Sequence, residues 1–221
     1  MGWGELSLKE RFFEKTSILF ILIILFFGIQ GGISLFNKNF APPMDLFAAT
    51  GIILVVFILH LMKRFNPIVP ILLLLGFVPH LFGLYKVFQY NGEHIQLYGS
   101  PQFNYHYDWF VHAFGVFCFS IVFCLISYPY FKKGFKSKLL IFVLILFFMT
   151  GLGAFNECLE YVGFDVFGFG EGFLEFGAGD SSPRGGPWEN ASMDMINNML
   201  GGVVGISLFL LLKKRKESAA H

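Results

Sequence analysis

Charge is scarce in this chain: only 14% of its 221 residues are charged, where a soluble domain usually carries about a quarter. That shortage excludes an ordinary soluble globular class. Cysteine is scarce as well. Cys118, Cys124 and Cys158 are the only three. They are odd in number, without CxxC spacing and set in apolar segments, which excludes a disulfide framework and a thiolate metal pair; all three are expected to be buried, inert thiols. There is no HExxH motif and no histidine pair at i, i+4. With a net charge of +1 there is no overall basic field for nucleic acid. Nor is there a polar stretch long enough for a soluble domain, the longest being 89–108 and 162–191.

What fills the chain is apolar. Hydrophobic residues make up 55% of it, 31 of the residues being Phe, and the mean hydropathy is +0.64. A membrane-crossing helix needs about 20 mainly apolar residues, and six segments qualify: 17–37, 44–62, 67–88, 109–130, 138–161 and 192–212. The expected fold is therefore all-α, a polytopic membrane protein of six transmembrane helices forming one integral membrane domain over 1–221. The first segment, SILFILIILFFGIQGGISLF, is longer than a signal-peptide core and is followed by no small-x-small cleavage pattern, so it reads as an uncleaved span. Pro67, Pro70 and Pro79 predict a kink or a late start in the third.

An even number of spans puts both termini on one side. Thirteen of the 16 basic residues fall there: Lys9, Arg11, Lys15, Lys63, Arg64, Lys132, Lys133, Lys136, Lys138, Lys213, Lys214, Arg215 and Lys216. Only Lys38, Lys86 and Arg184 fall opposite. The positive-inside rule then makes both termini cytoplasmic and the protein a multi-pass resident of the plasma (cytoplasmic) membrane. Eleven of the 15 acids lie on or near the outer side, which predicts an outer surface that attracts cations. The external loop 162–191 is long for a loop, and its Phe164, Phe167, Phe169, Phe173, Leu174 and Phe176 suit the membrane interface.

This orientation gathers the polar residues of three spans at one depth. Asp108 and His112 are i, i+4 near the outer end of the fourth span, on one helical face. Glu157 and Glu160, with Tyr161, stand near the outer end of the fifth. Asp194, Asn197 and Asn198 occupy the first turns of the sixth. Four carboxylates thus surround one histidine, with Arg184 the nearest guanidinium. Desolvated carboxylates packed together cannot all stay ionised; they share protons, pair with a charged His112, or hold a cation. Ionisable groups inside a membrane are functional candidates by default. The bland alternative is hydrogen-bonded glue between helices, worth about 0.6–2 kcal/mol per contact. Convergence of this many groups favours a site.

Mixed oxygen and imidazole donors suit Zn, Mn or Fe(II), and an oxygen-dominated set suits Mg or Ca. The candidate ligands are Asp108, His112, Glu157, Glu160 and Asp194. A bound ion with an open position can activate water for hydrolysis, with His112, Glu157 or Asp108 as the catalytic base. Arg184, Trp188, Asn198 and Tyr161 are the candidates for touching substrate. Among the other histidines, His80 is expected to be structural, His60 interfacial, and His94 and His106 loop residues. Gly201 and Gly205 form a GxxxG pair, and with Gly151 and Gly153 they predict close helix packing. Asn190-Ala191-Ser192 is a formal glycosylation sequon beside the sixth span.

The order YDWFVH, NECLEY, PWENASMDMINNMLGG resembles the YjdF-like multi-pass inner-membrane proteins, which are uncharacterised. More distantly it is similar to VanZ-like membrane proteins, with their D-x-x-H, E-x-x-Q and R…D-x-x-x-N-x-x-G elements. The likeness covers about 103–205. It aligns Asp108 and His112 with the first element, Glu157 and Glu160 with the second, and Arg184, Trp188, Asp194, Asn198 and Gly201 with the third. The D-to-H spacing is one residue longer than in the VanZ pattern, and Glu160 stands where that pattern has an amide. The resemblance implies work at the cell envelope without naming a reaction; membrane lipid is the expected surroundings, and a lipid-linked substrate belongs to the enzyme reading below.

Three function classes follow. One is an enzyme acting on a lipid-linked or envelope substrate at the outer membrane face. The second is a non-catalytic scaffold whose polar cluster is structural. A cation- or proton-coupled transporter comes third, because its site belongs near the midplane and no polar path continues inward.

Overall fold

The computed structural model describes residues 8–36, 41–84, 95–96, 104–105, 107–165 and 187–219. Among them are seven α-helices: α1 (Leu8–Phe12), α2 (Lys15–Phe36), α3 (Ala41–Lys63), α4 (Ile68–Leu84), α5 (Tyr107–Gly134), α6 (Lys138–Asp165) and α7 (Pro187–Ser218). Local sequence explains several boundaries. Asn66 caps α4, its Oδ1 accepting from the Ile68 N–H at 3.0 Å, and Ser137 Oγ accepts from the Leu140 N–H at 3.2 Å to cap α6, each satisfying a donor the helix leaves over. Arg64, at φ 53°, ends α3 in the left-handed conformation typical of that position.

Five helices are long and apolar enough to cross a membrane: Lys15–Phe36, Leu46–Lys63, Trp109–Gly134, Lys138–Leu159 and Ala191–Arg215. Ile68–Phe82 is apolar but shorter; it is the described part of the expected third span. Leu22, Phe36, Leu139, Phe147 and Leu211 are all more than half exposed. Helices apolar on their outer faces as well as their inner ones are what a lipid environment requires.

Some expectations need correction. Helix α6 runs on to Asp165 and α7 begins at Pro187, so both cut into the loop expected over 162–191. Hydropathy marks the apolar core of a span, whereas Pro187 marks the helix start, where a missing N–H costs nothing. In the expected outer loop 89–108, Ile95–Gln96 (β1) pairs antiparallel with Asn104–Tyr105 (β2). His94 and His106 lie outside the described residues. Helix α4 begins after Pro67 and contains Pro79.

The chain falls into two compact units, up to Leu74 and from Leu75. In the first, α2 and α3 bury Phe20, Ile23 and Phe27 with Leu46, Ala49, Ile53 and Phe57. One end is tied by polar groups. His60, expected at the interface, is instead 1% exposed; its Nδ1 accepts from the Phe65 N–H at 2.8 Å, and its Nε2 is 3.1 Å from Ser17 Oγ. Ser17 in turn donates to the Arg11 carbonyl at 2.6 Å, and Arg64 reaches Glu14 at 3.1 Å.

In the second unit α5, α6 and α7 enclose Val116, Cys124, Tyr128, Ile141, Ile145, Met149 and Ile206. Cys118 and Cys124 are buried, but Cys158 is exposed; its position on an outer face of α6 is one that a weakly polar thiol tolerates among apolar neighbours. Helices α5 and α7 run parallel: His112 meets Asn198 in their N-terminal halves, and Lys132 meets Glu217 at 2.8 Å near their last turns. Twenty helical residues separate those levels, about 30 Å at 1.5 Å per residue, a full hydrocarbon thickness.

Candidate metal centre

Glycine sets the approach of α7 to α5. A methyl group at Gly201 would collide with the carbonyl of Ala113, and one at Gly205 with that of Phe117. The two backbones therefore touch along this seam, as GxxxG pairs permit. Ala113 follows His112 and Gly201 stands three residues after Asn198, so the same contact brings the Asn198 amide level with the imidazole. On α6, Gly153 supplies the remaining room: a Cβ there would lie 2.5 Å from Asn198 Nδ2. Gly151, expected to share this packing, meets nothing.

At this junction His112 Nδ1 lies 3.2 Å from Asn198 Oδ1. The other ring nitrogen, Nε2, points toward two acids, 4.0 Å from Glu157 Oε1 and 3.9 Å from Asp194 Oδ1. One donor atom from each of His112, Glu157 and Asp194 falls within 4.8 Å of the other two. The Asp194 side chain is completely buried, and those of His112 and Glu157 are 12% and 13% exposed. Three helices thus aim one imidazole nitrogen and two carboxylate oxygens at a common point away from water.

The separations decide what that point can be. At 3.9 and 4.0 Å neither acid is within hydrogen-bond reach of Nε2. Two donors on a tetrahedral ion with bonds near 2.1 Å lie about 3.4 Å apart, so each imidazole–carboxylate pair would close by about half an ångström, and the two carboxylate oxygens, within 4.8 Å of each other, by up to about 1.4 Å, to share a metal. The donor types, one nitrogen and two oxygens, fit a transition-metal divalent ion better than Mg.

Other expected site residues are placed less centrally. Tyr161 is on α6 and 64% exposed. Asn197 turns back to its own helix, its Nδ2 donating to the Met193 carbonyl at 2.8 Å. Asn198, expected to touch substrate, is 2% exposed, with its oxygen on His112. The side chains of Asp108, Glu160 and Trp188, and the whole of Arg184, lie outside the described residues. His80 is buried on α4, as a structural histidine should be. Sequence reasoning passed over Ser120, fully buried two turns along α5 from His112; the i, i+8 spacing on one helical face was the available signal.

A family described as predicted membrane protein (DUF2238) matches residues 13–215, and the chain belongs to it. This is the membrane family that the three motifs pointed to, and the match extends beyond them to the first three apolar segments. No curated protein and no solved structure matches the chain.

Proposed function

We propose that this member of that multi-pass membrane family is a metal-dependent hydrolase of a lipid-linked or cell-envelope substrate, its metal centre formed by His112, Glu157 and Asp194. The observation that carries the proposal is the convergence of Nε2 and two carboxylate oxygens within 4.8 Å, on three helices, in a buried setting. Were both acids ionised, they would leave negative charge over even with the ring charged, and a divalent ion would neutralise it. Asp194, wholly buried, would be the fixed ligand; His112 and Glu157 border the accessible side.

A bound divalent ion would contribute Lewis acidity toward a carbonyl or phosphoryl oxygen. Glu157 could then hold or move a proton at the substrate. Asp108 and Glu160, one turn from His112 and Glu157 in sequence, would supply additional oxygens. Arg184, Trp188 and Tyr161 remain the candidates for substrate contact. Six spans with both termini cytoplasmic, as the basic residues indicate, would open the site toward the outer leaflet of the cytoplasmic membrane.

One observation favours a second reading. Asp194 at 0% exposure and Asn198 at 2% suit a closed polar cluster that pins three helices in a scaffold without catalysis. Elemental mass spectrometry of detergent-purified protein separates the two, with His112→Ala and Glu157→Ala measured beside the wild type. Near-stoichiometric divalent metal, lost in both variants, is expected. Metal-free, well-folded wild type after incubation with Zn, Mn, Fe(II) and Mg would overturn the metal centre and leave the scaffold.

A further inference from the structure

We infer that Asn198 is a positioning residue for His112: it fixes the imidazole as the Nδ1–H tautomer and so turns the Nε2 lone pair toward Glu157 and Asp194. The inference deepens the metal reading above and rests on it for its purpose, though its geometry is separate.

The argument begins with what an amide oxygen can do. Oδ1 only accepts, so the 3.2 Å contact with Nδ1 places the ring proton on Nδ1. A histidine that binds metal through one nitrogen needs its other nitrogen held by such a partner, which fixes the ring's tautomer and direction. Asn198 is itself held. It is 2% exposed, its Nδ2 is packed against Gly153, and Gly201 on the next turn is seated on the Ala113 carbonyl. Rotation of the ring away from the acids would have to break that packing. Among the described residues Asn198 Nδ2 has no hydrogen-bond partner.

The same protein contains a control. His60 Nδ1 accepts from a backbone N–H, so its proton is on Nε2, the opposite tautomer. Long-range 1H–15N correlation NMR of metal-free protein with 15N-labelled histidine reads both rings. The expected result is a protonated Nδ1 in His112 and a protonated Nε2 in His60. In Asn198→Leu the His112 preference should disappear, and in Asn198→Asp, which keeps shape and acceptor, it should persist. His112 found with its single proton on Nε2 would overturn the inference. Metal titration gives an independent readout: Asn198→Leu should weaken binding about 10–100-fold, and Asn198→Asp should not. Unchanged affinity in Asn198→Leu would also overturn it. If wild type binds no metal, the metal reading fails, while the tautomer measurement still decides this one.

Discussion

His60 and His112 both sit near the end of an apolar helix, and they are partnered in opposite ways. His60 uses both ring nitrogens on a neutral backbone N–H and a serine hydroxyl. The ring stacks on Phe57 and tilts against Phe20. The knot joins α2 to α3 through Ser17, closes the end of α3 and reaches α1 at Arg11. His112 uses one nitrogen on an amide and presents the other to two acids at a distance too long for a hydrogen bond. A buried histidine with both nitrogens satisfied is a structural part. One that faces two carboxylates as well as an amide is the candidate for the proposed metal ligand.

Substitutions can break that contrast. The largest effect should come from His112→Ala, which removes a direct ligand and should weaken metal binding by more than the ~10–100-fold typical of an outer partner, in isothermal titration with Zn or Mn. Gly201→Val comes next. Its side chain would press on the Ala113 backbone, and overpacking of this kind costs about 1–3 kcal/mol. Since the glycine also sets the height of Asn198, thermal stability and metal affinity should fall together. His60→Ala should do only the first. It orphans the Phe65 N–H, worth about 1–3 kcal/mol, and should lower the melting temperature in detergent while leaving metal affinity unchanged.

The smallest effect belongs to the far end of α5 and α7. The hydrogen bond from Lys132 holds the Glu217 carboxyl below the usual carboxylate range. A carboxylate whose folded pKa is depressed stabilises the fold above its unfolded value and loses that contribution as pH falls through the folded value. The pair is solvent-exposed, so the effect is slight. Glu217→Gln should lower stability a little at neutral pH, and the difference from wild type should vanish in acid, as melting curves across pH would record.

Hydropathy made the membrane class and five of the long spans legible, because lipid demands apolar residues along the whole length of a helix. Helix ends were less legible. Pro187 begins α7 five residues before the apolar run, and no hydropathy window detects it. At the site, the i, i+3 and i, i+4 spacings were enough to bring His112, Glu157 and Asp194 forward, and GxxxG announced the seam at Gly201 and Gly205. What sequence could not supply was the partner of each nitrogen. Ser17 is 43 positions from His60 and Asn198 is 86 from His112, so an interfacial histidine and a buried one read alike. Cys158 was misplaced for a similar reason: an apolar stretch does not say which of its faces meets other helices and which meets lipid.

The most direct test of the central claim is metal-edge X-ray absorption on zinc-loaded protein, comparing wild type with His112→Gln and His60→Gln. The account predicts scattering from one imidazole with oxygen neighbours in wild type, kept in His60→Gln and absent in His112→Gln. Imidazole scattering that survives in His112→Gln, or a wild-type centre without imidazole, would contradict it.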